Sequence, residues 1–155
     1  MEKVYNELTA LINAFFTKYK DLDEKITAAR PPGDAWGTKE IIGHLVDSAC
    51  NNHQRFIRMQ LKDKLIFPDY GADNQRWIQL AHYTEMSFTD LLLLWKQYNL
   101  LLAQIIRTVD PATLDHYWQI GEEKRTLAFL MKDYLSHLRN HLQQFEEAVL
   151  RVTNL

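Results

Sequence analysis

In the first stretch of the chain, Val4, Leu8, Leu11, Ile12, Phe15, Phe16 and Tyr19 recur at intervals of three and four. That spacing gathers them on one face of an α-helix. The same period returns three times, predicting a second helix from about Thr38 to Lys62, a third from about Phe88 to Val109 and a fourth from about Leu127 to Val152. Ser87 stands where an N-cap is needed, with Asp90 three residues on in capping-box position, and Thr126 can cap the fourth helix. The breaks between them are Arg30 to Gly37 (RPPGDAWG), Pro68 to Gly71 (PDYG), Asp110-Pro111, and Gly121 with the charged run Glu122 to Arg125. Strand-like alternation is missing apart from a scrap at His116 to Ile120. The pattern predicts one all-α domain, a four-helix bundle spanning 1–155.

The link between the second and third helices, about Asp63 to Met86, is long and holds a short helical pattern near Asn74 to His82. A link of that reach can cross the bundle, letting helices two and three run parallel and bringing helix two beside helix four.

Composition narrows the class. The 155 residues carry 46% hydrophobic and 25% charged side chains with a net charge of −2, ordinary for a globular domain. The basic residues are scattered, so no electrostatic footprint for nucleic acid exists. The single cysteine, Cys50, excludes an internal disulfide. Met1 to Asn6 show no secretory pattern, and the densest apolar run, Leu91 to Trp95, is far short of a membrane span. The expectation is a cytoplasmic protein without membrane partners.

Six histidines remain as candidate chemistry: His44, His53, His82, His116, His137 and His141. In HLRNH, His137 and His141 are one turn apart on one helix face, where two imidazoles can share a metal ion. Leu138 occupies the place of the zincin glutamate, which excludes that protease class. A helical wheel puts His141 inside the edge of the apolar stripe of helix four and His137 just beyond it. On helix two, His44 points away from the apolar stripe, in line with Ser48, Asn51 and Arg55. Spacing alone therefore leaves two readings open: a metal site beside a polar-walled cavity, or solvated histidines, which the wheel favours for His44. His53, His82 and His116 lack a partner at ligand spacing and are expected at the surface or at caps.

The segment WGTKEIIGHLVDS, with Trp36, Glu40, His44, Leu45, Asp47 and Ser48, resembles a signature of the DinB-like superfamily. The later segment DYLSHLRNHLQQF resembles its second signature and places His137, His141 and Gln144. The likeness is greatest to the branch that includes bacillithiol-dependent S-transferases and metal-dependent hydrolases. It implies an up-down-down-up bundle, often a homodimer, in which one histidine of helix two and two of helix four hold nickel or zinc. His44, His137 and His141 become the ligands. Two departures stand out. Gly37 follows Trp36 where serine or threonine is usual, and Gly43 stands where some transferase relatives carry a second histidine.

A three-histidine ion keeps its full charge and an open position, the layout of a catalytic site. The resemblance favours activation of a low-molecular-weight thiol for transfer to a small-molecule electrophile. Hydrolysis of a small substrate and a non-catalytic metal-binding stress protein are the alternatives. Asp133 and Glu40, each four residues before a ligand, are candidate acceptors for the second ring nitrogens. Gln144 could reach a metal-bound water or bond along its own helix. Asn51 and Arg55 could grip a carboxylate of thiol or substrate. Tyr70 and Trp77 could close over the site or anchor the link. Cys50 is expected to be a packed residue rather than a nucleophile.

Overall fold

The computed structural model describes residues 1–31, 33 and 35–153. Pro32 and Asp34, within the first expected break, lie outside it. Four long helices form the bundle: α1 (Glu2–Tyr19), α3 (Thr38–Leu61), α5 (Phe88–Arg107) and α6 (Leu127–Thr153). Two short helices, α2 (Glu24–Ala28) and α4 (Asn74–Ala81), pack against α3. α1 and α3 each pack against α5 and α6, in the expected up-down-down-up order. The caps are as the sequence suggests. Ser87 Oγ accepts from the Asp90 amide at 3.4 Å, and Thr126 Oγ1 accepts from the Phe129 amide at 3.2 Å.

The scrap at His116 to Ile120 proves to be part of a small sheet that the hydrophobic pattern conceals. Its strands are β1 (Lys64–Ile66), β2 (Tyr117–Ile120) and β3 (Glu123–Thr126). β2 and β3 form a hairpin turned at Gly121, whose φ of 55° suits glycine, and β1 pairs with β2 in parallel, Leu65 opposite Trp118. Strands of three or four residues are too short for a readable period, and β3 is wholly polar (EKRT). The bundle remains all-α in class. The sheet ties the end of α3 to the start of α6, fixing how those two helices lie side by side.

The crossover after β1 runs through α4 and a single turn at Tyr83–Glu85 that presses the Tyr83 ring onto α3. Only glycine permits this approach: a Cβ on Gly43 would lie 2.1 Å from the ring. Tyr83 donates its hydroxyl to Asp47 at 2.6 Å. On the other flank, Lys39 is buried and donates to the Met86 carbonyl at 2.7 Å and to Glu24 of α2. Every position from Thr38 to Ala49 is consequently buried.

Candidate metal centre

That enclosure decides between the two readings of His44. A wheel distinguishes inside from outside only when one face of a helix meets water. The first half of α3 has no such face, because α2, α4 and the Tyr83 turn cover what would otherwise be the exposed side. His44 is 2% exposed, with Ser48, Asn51 and Arg55 equally buried. The row is internal, and His44, Ser48 and Arg55 of it wall a cavity.

α6 runs antiparallel beside it and brings His137 and His141 to His44. The ring centroids of His44 lie 5.4 Å from His137 and 4.5 Å from His141, and those of His137 and His141 are 4.4 Å apart. One ring nitrogen from each histidine lies within 4.8 Å of the others. Nε2 of His44 and Nε2 of His137 are 3.4 Å apart. Two nitrogens bound tetrahedrally to one ion at about 2.0–2.1 Å would stand roughly 3.3–3.4 Å apart. The donor set fits a divalent ion.

Electrostatics agree. Burial, with the neighbouring imidazoles adding to it, pushes His44 down to about 3 and His137 down to about 4. Burial also lowers His141. All three rings are neutral at neutral pH, the state a ligand requires. His141 is further oriented by Gln144, whose Oε1 accepts from Nδ1 at 2.8 Å, leaving Nε2 for the centre. Gln144 thus bonds along its own helix, the second of the two roles open to it. The Nδ1 atoms of His44 and His137 are buried without partners. Neither expected acceptor reaches them. Glu40 instead closes the capping box, accepting from the Gly37 amide at 2.7 Å, and Asp133 sits on the wall of a neighbouring cavity.

Other expected residues are sorted by the fold. Trp36 lies with its ring centroid 5.0 Å from that of His44 and 6.3 Å from that of His141, and it is tied to α4 through Gln75 at 2.6 Å. Tyr70 reaches to 6.4 Å from the His44 ring, whereas Trp77 packs on Tyr70 behind it. Asn51 donates to the Asp47 carbonyl at 3.0 Å and does not line the cavity; Asn52 does. Cys50 is exposed, not packed, because the enclosure of α3 ends at Ala49. His53 and His116 bond Tyr98 and the Met59 carbonyl, and His82 is the left-handed C-cap of α4.

Two openings flank the imidazoles. A groove of about 480 Å³ runs along Trp36, His141, Gln144 and Arg151. A narrower cavity of about 200 Å³ touches His44 and His137 and extends to Arg55, Trp118 and Arg125. Trp118 and Arg125 escape a sequence reading because the sheet, not helical spacing, carries them there.

Comparison with known proteins bears on this geometry. The sequence profile of the DinB superfamily matches residues 3–145. A Bacillus mycoides (strain KBAB4) protein provisionally named a metal-dependent hydrolase is 24% identical over 143 residues, spanning 91% of this chain and 80% of the relative. Among solved structures, YfiT from Bacillus subtilis is described as a probable metal-dependent hydrolase with an unusual four-helix bundle topology. It superposes with a TM-score of 0.83 at 17% identity, covering 98% of this chain and 87% of YfiT. At that identity the likeness establishes the fold.

Proposed function

The chain belongs to the DinB superfamily, and on that footing we propose that it is a metal-dependent hydrolase of a small molecule, with His44, His137 and His141 holding one divalent ion, zinc or nickel. The observation that carries this reading is the convergence of one nitrogen from each of three imidazoles within 4.8 Å, drawn from two helices and held neutral by burial. The names given to the relative and to the structural neighbour support it. An ion so held supplies Lewis acidity that makes the proton of a water or thiol removable near neutral pH.

The protein's own residues do the rest. Gln144 fixes the His141 tautomer, so that Nε2 presents its lone pair. Trp36 and Tyr70 flank the imidazoles and restrict the water that can approach. The small cavity beside His44 and His137 gives a substrate its place.

Thiol transfer, with a low-molecular-weight thiol of the bacillithiol type as cosubstrate, is a second reading, and the basic end of that cavity favours it for a thiol bearing a carboxylate. Gly43 counts against it. Where some transferases carry a second histidine, the Tyr83 ring leaves no space for any side chain.

Metal analysis of wild type beside His44→Ala tests the centre. About one equivalent of zinc or nickel is expected in wild type and a small fraction of that in the variant. Wild-type protein that neither holds nor takes up either ion overturns the proposal. Hydrolysis of 4-nitrophenyl acetate, abolished by chelation and by His44→Ala, would support water as nucleophile. Consumption of chlorodinitrobenzene only when thiol is added would move the assignment to transfer. The proposal includes a homodimer, checked by sedimentation, and a cytoplasmic location. Among the described residues no helix is long and apolar enough to cross a membrane.

A further inference from the structure

The face of α3 that carries His44 continues through Ser48 and Asn52 to Arg55, and these side chains form one wall of the 200 Å³ cavity. Arg55 is only 5% exposed. Its guanidinium carbon lies 3.8 Å from the centroid of the Trp118 ring, and that ring is itself pinned by a bond from Nε1 to the Phe67 carbonyl at 2.8 Å. Stacking on a fixed ring sets the plane of the guanidinium, a form of preorganisation open to arginine and not to lysine.

The protein meets only part of the hydrogen-bonding capacity of this group. Nη2 donates to Asp69 Oδ1 at 3.1 Å, from a carboxylate whose side chain is 44% exposed. Nε is buried with no acceptor. An unmet buried donor costs stability, and here it belongs to a guanidinium that lines an open cavity. Arg125 lines the same cavity and shares its charge with Glu123 at 2.9 Å.

We propose that Arg55 is a substrate-binding residue that takes the carboxylate of a small acid, whose reacting group lies at the other end of the cavity, against His44 and His137. Arg55 follows His44 by eleven residues, roughly 16 Å along the helix axis, and its side chain leans back toward the helix N-terminus. The carboxylate and the reacting group are therefore roughly 10 Å apart. A monocarboxylate suits the site better than a phosphate dianion, because Asp69 and Asp133 also stand on the cavity wall and Asp69 already occupies one edge of the guanidinium. The ligand length rests on the proposed catalytic reading of the imidazoles; the carboxylate preference does not.

The test compares binding of monomethyl suberate, whose length matches that separation, with binding of the matching neutral amide ester. Both are titrated calorimetrically into the protein as isolated. The acid is expected to bind about tenfold more tightly than the amide. Arg55→Gln should remove that preference, while Asp69→Asn, at an exposed carboxylate, should strengthen acid binding several-fold by removing the negative charge that competes for the guanidinium. Equal binding of acid and amide by wild type overturns the proposal, as does an undiminished preference in Arg55→Gln. If Arg55→Gln does not fold, Asp69→Asn decides: unchanged or weaker acid binding counts against Arg55. Carboxylate preference in a protein that lacks metal-dependent turnover would defeat the proposed function and leave this assignment standing.

Discussion

Where α1, α5 and α6 meet, Phe15, Tyr19, Trp95 and Phe145 pack as tilted and edge-on rings with centroids 4.7–5.3 Å apart. Where α3 meets α6, His44, Arg55 and Asp47 are equally enclosed and His137 and His141 partly so, yet His44 Nδ1, His137 Nδ1, Arg55 Nε and Asp47 Oδ2 lack partners. Both seams belong to one bundle and lie at comparable depth. Burial stabilises the first, because apolar area leaves water and aromatic edges find faces. In the second, burial desolvates polar groups without answering them, which costs stability, and it leaves His44 Nε2 and His137 Nε2 facing each other. Trp95 Nε1 of the first seam is also buried without a partner, so what sets the second apart is the gathering of such groups around three imidazoles, and that concentration marks it as the place where function resides.

The largest expected effect comes from breaking the apolar seam. Phe145→Ala removes a fully buried ring that touches Phe15, Tyr19 and Phe88, and should cost about 3–5 kcal/mol in urea unfolding. Metal stoichiometry measured below the unfolding transition should not change. Loss of metal binding in the folded variant would show that the two seams are not independent.

Acid should strain the polar seam next most strongly. The folded chain holds His44 down to about 3 and His137 down to about 4, against an ordinary value near 6.5 in the unfolded chain. Below about pH 6.5 the unfolded chain binds more protons, so stability is full above that pH, falls as acid is added, and stops falling once the folded values are passed. Between pH 7 and 5 the metal-free protein should lose about 3–4 kcal/mol through these two rings. The measurement is the difference in urea stability between wild type and the His44→Ala, His137→Ala double variant over that range. A parallel pH dependence in the two proteins would contradict the assignment.

Gly43→Ala sharpens the comparison at the point where the crossover closes the polar seam. The new methyl group would meet the Tyr83 ring at 2.1 Å, and overpacking of this kind costs about 1–3 kcal/mol. Tyr83→Ala leaves Asp47 without its hydroxyl donor and should also destabilise. Combining the two should cost less than their sum, because removing the ring makes room for the methyl group. Strict additivity in urea unfolding would mean that the ring does not rest on Gly43.

The apolar seam was legible in the sequence and the polar one only in part, and particular residues show why. Leu8, Leu138 and Phe145 announce their burial through helical period, because a helix with one wet face writes that face into its pattern. His44 could not, since the first half of α3 is enclosed by segments distant in sequence, and a wheel reads any polar row as solvent-facing. Family resemblance, not periodicity, joined His44 to His137 and His141. Trp118 and Arg125 carried no signal, as they reach the cavity through strands of four residues in a chain whose pattern is helical. Glu40 and Asp133 were placed by spacing four residues from their ligands, but spacing along one helix says nothing of competing partners. The capping box claimed Glu40.

The smallest expected effect isolates what orders the polar seam without touching its ligands. Gln144 is exposed and contacts the centre only through His141 Nδ1 at 2.8 Å. Gln144→Leu removes that acceptor, frees the ring to rotate and lets the proton sit on either nitrogen. Partners of this kind are worth ten- to hundredfold in metal affinity, and an exposed position argues for about tenfold, roughly 1.4 kcal/mol. Stability of the metal-free chain should stay within about 0.5 kcal/mol of wild type, since no buried contact is lost. Gln144→Glu should restore affinity, because a carboxylate accepts the same Nδ1 hydrogen more strongly. Competition with a chromogenic chelator reads all three proteins. Equal zinc affinity in wild type and Gln144→Leu would place the orientation of His141 elsewhere, in its packing between Trp36 and His137.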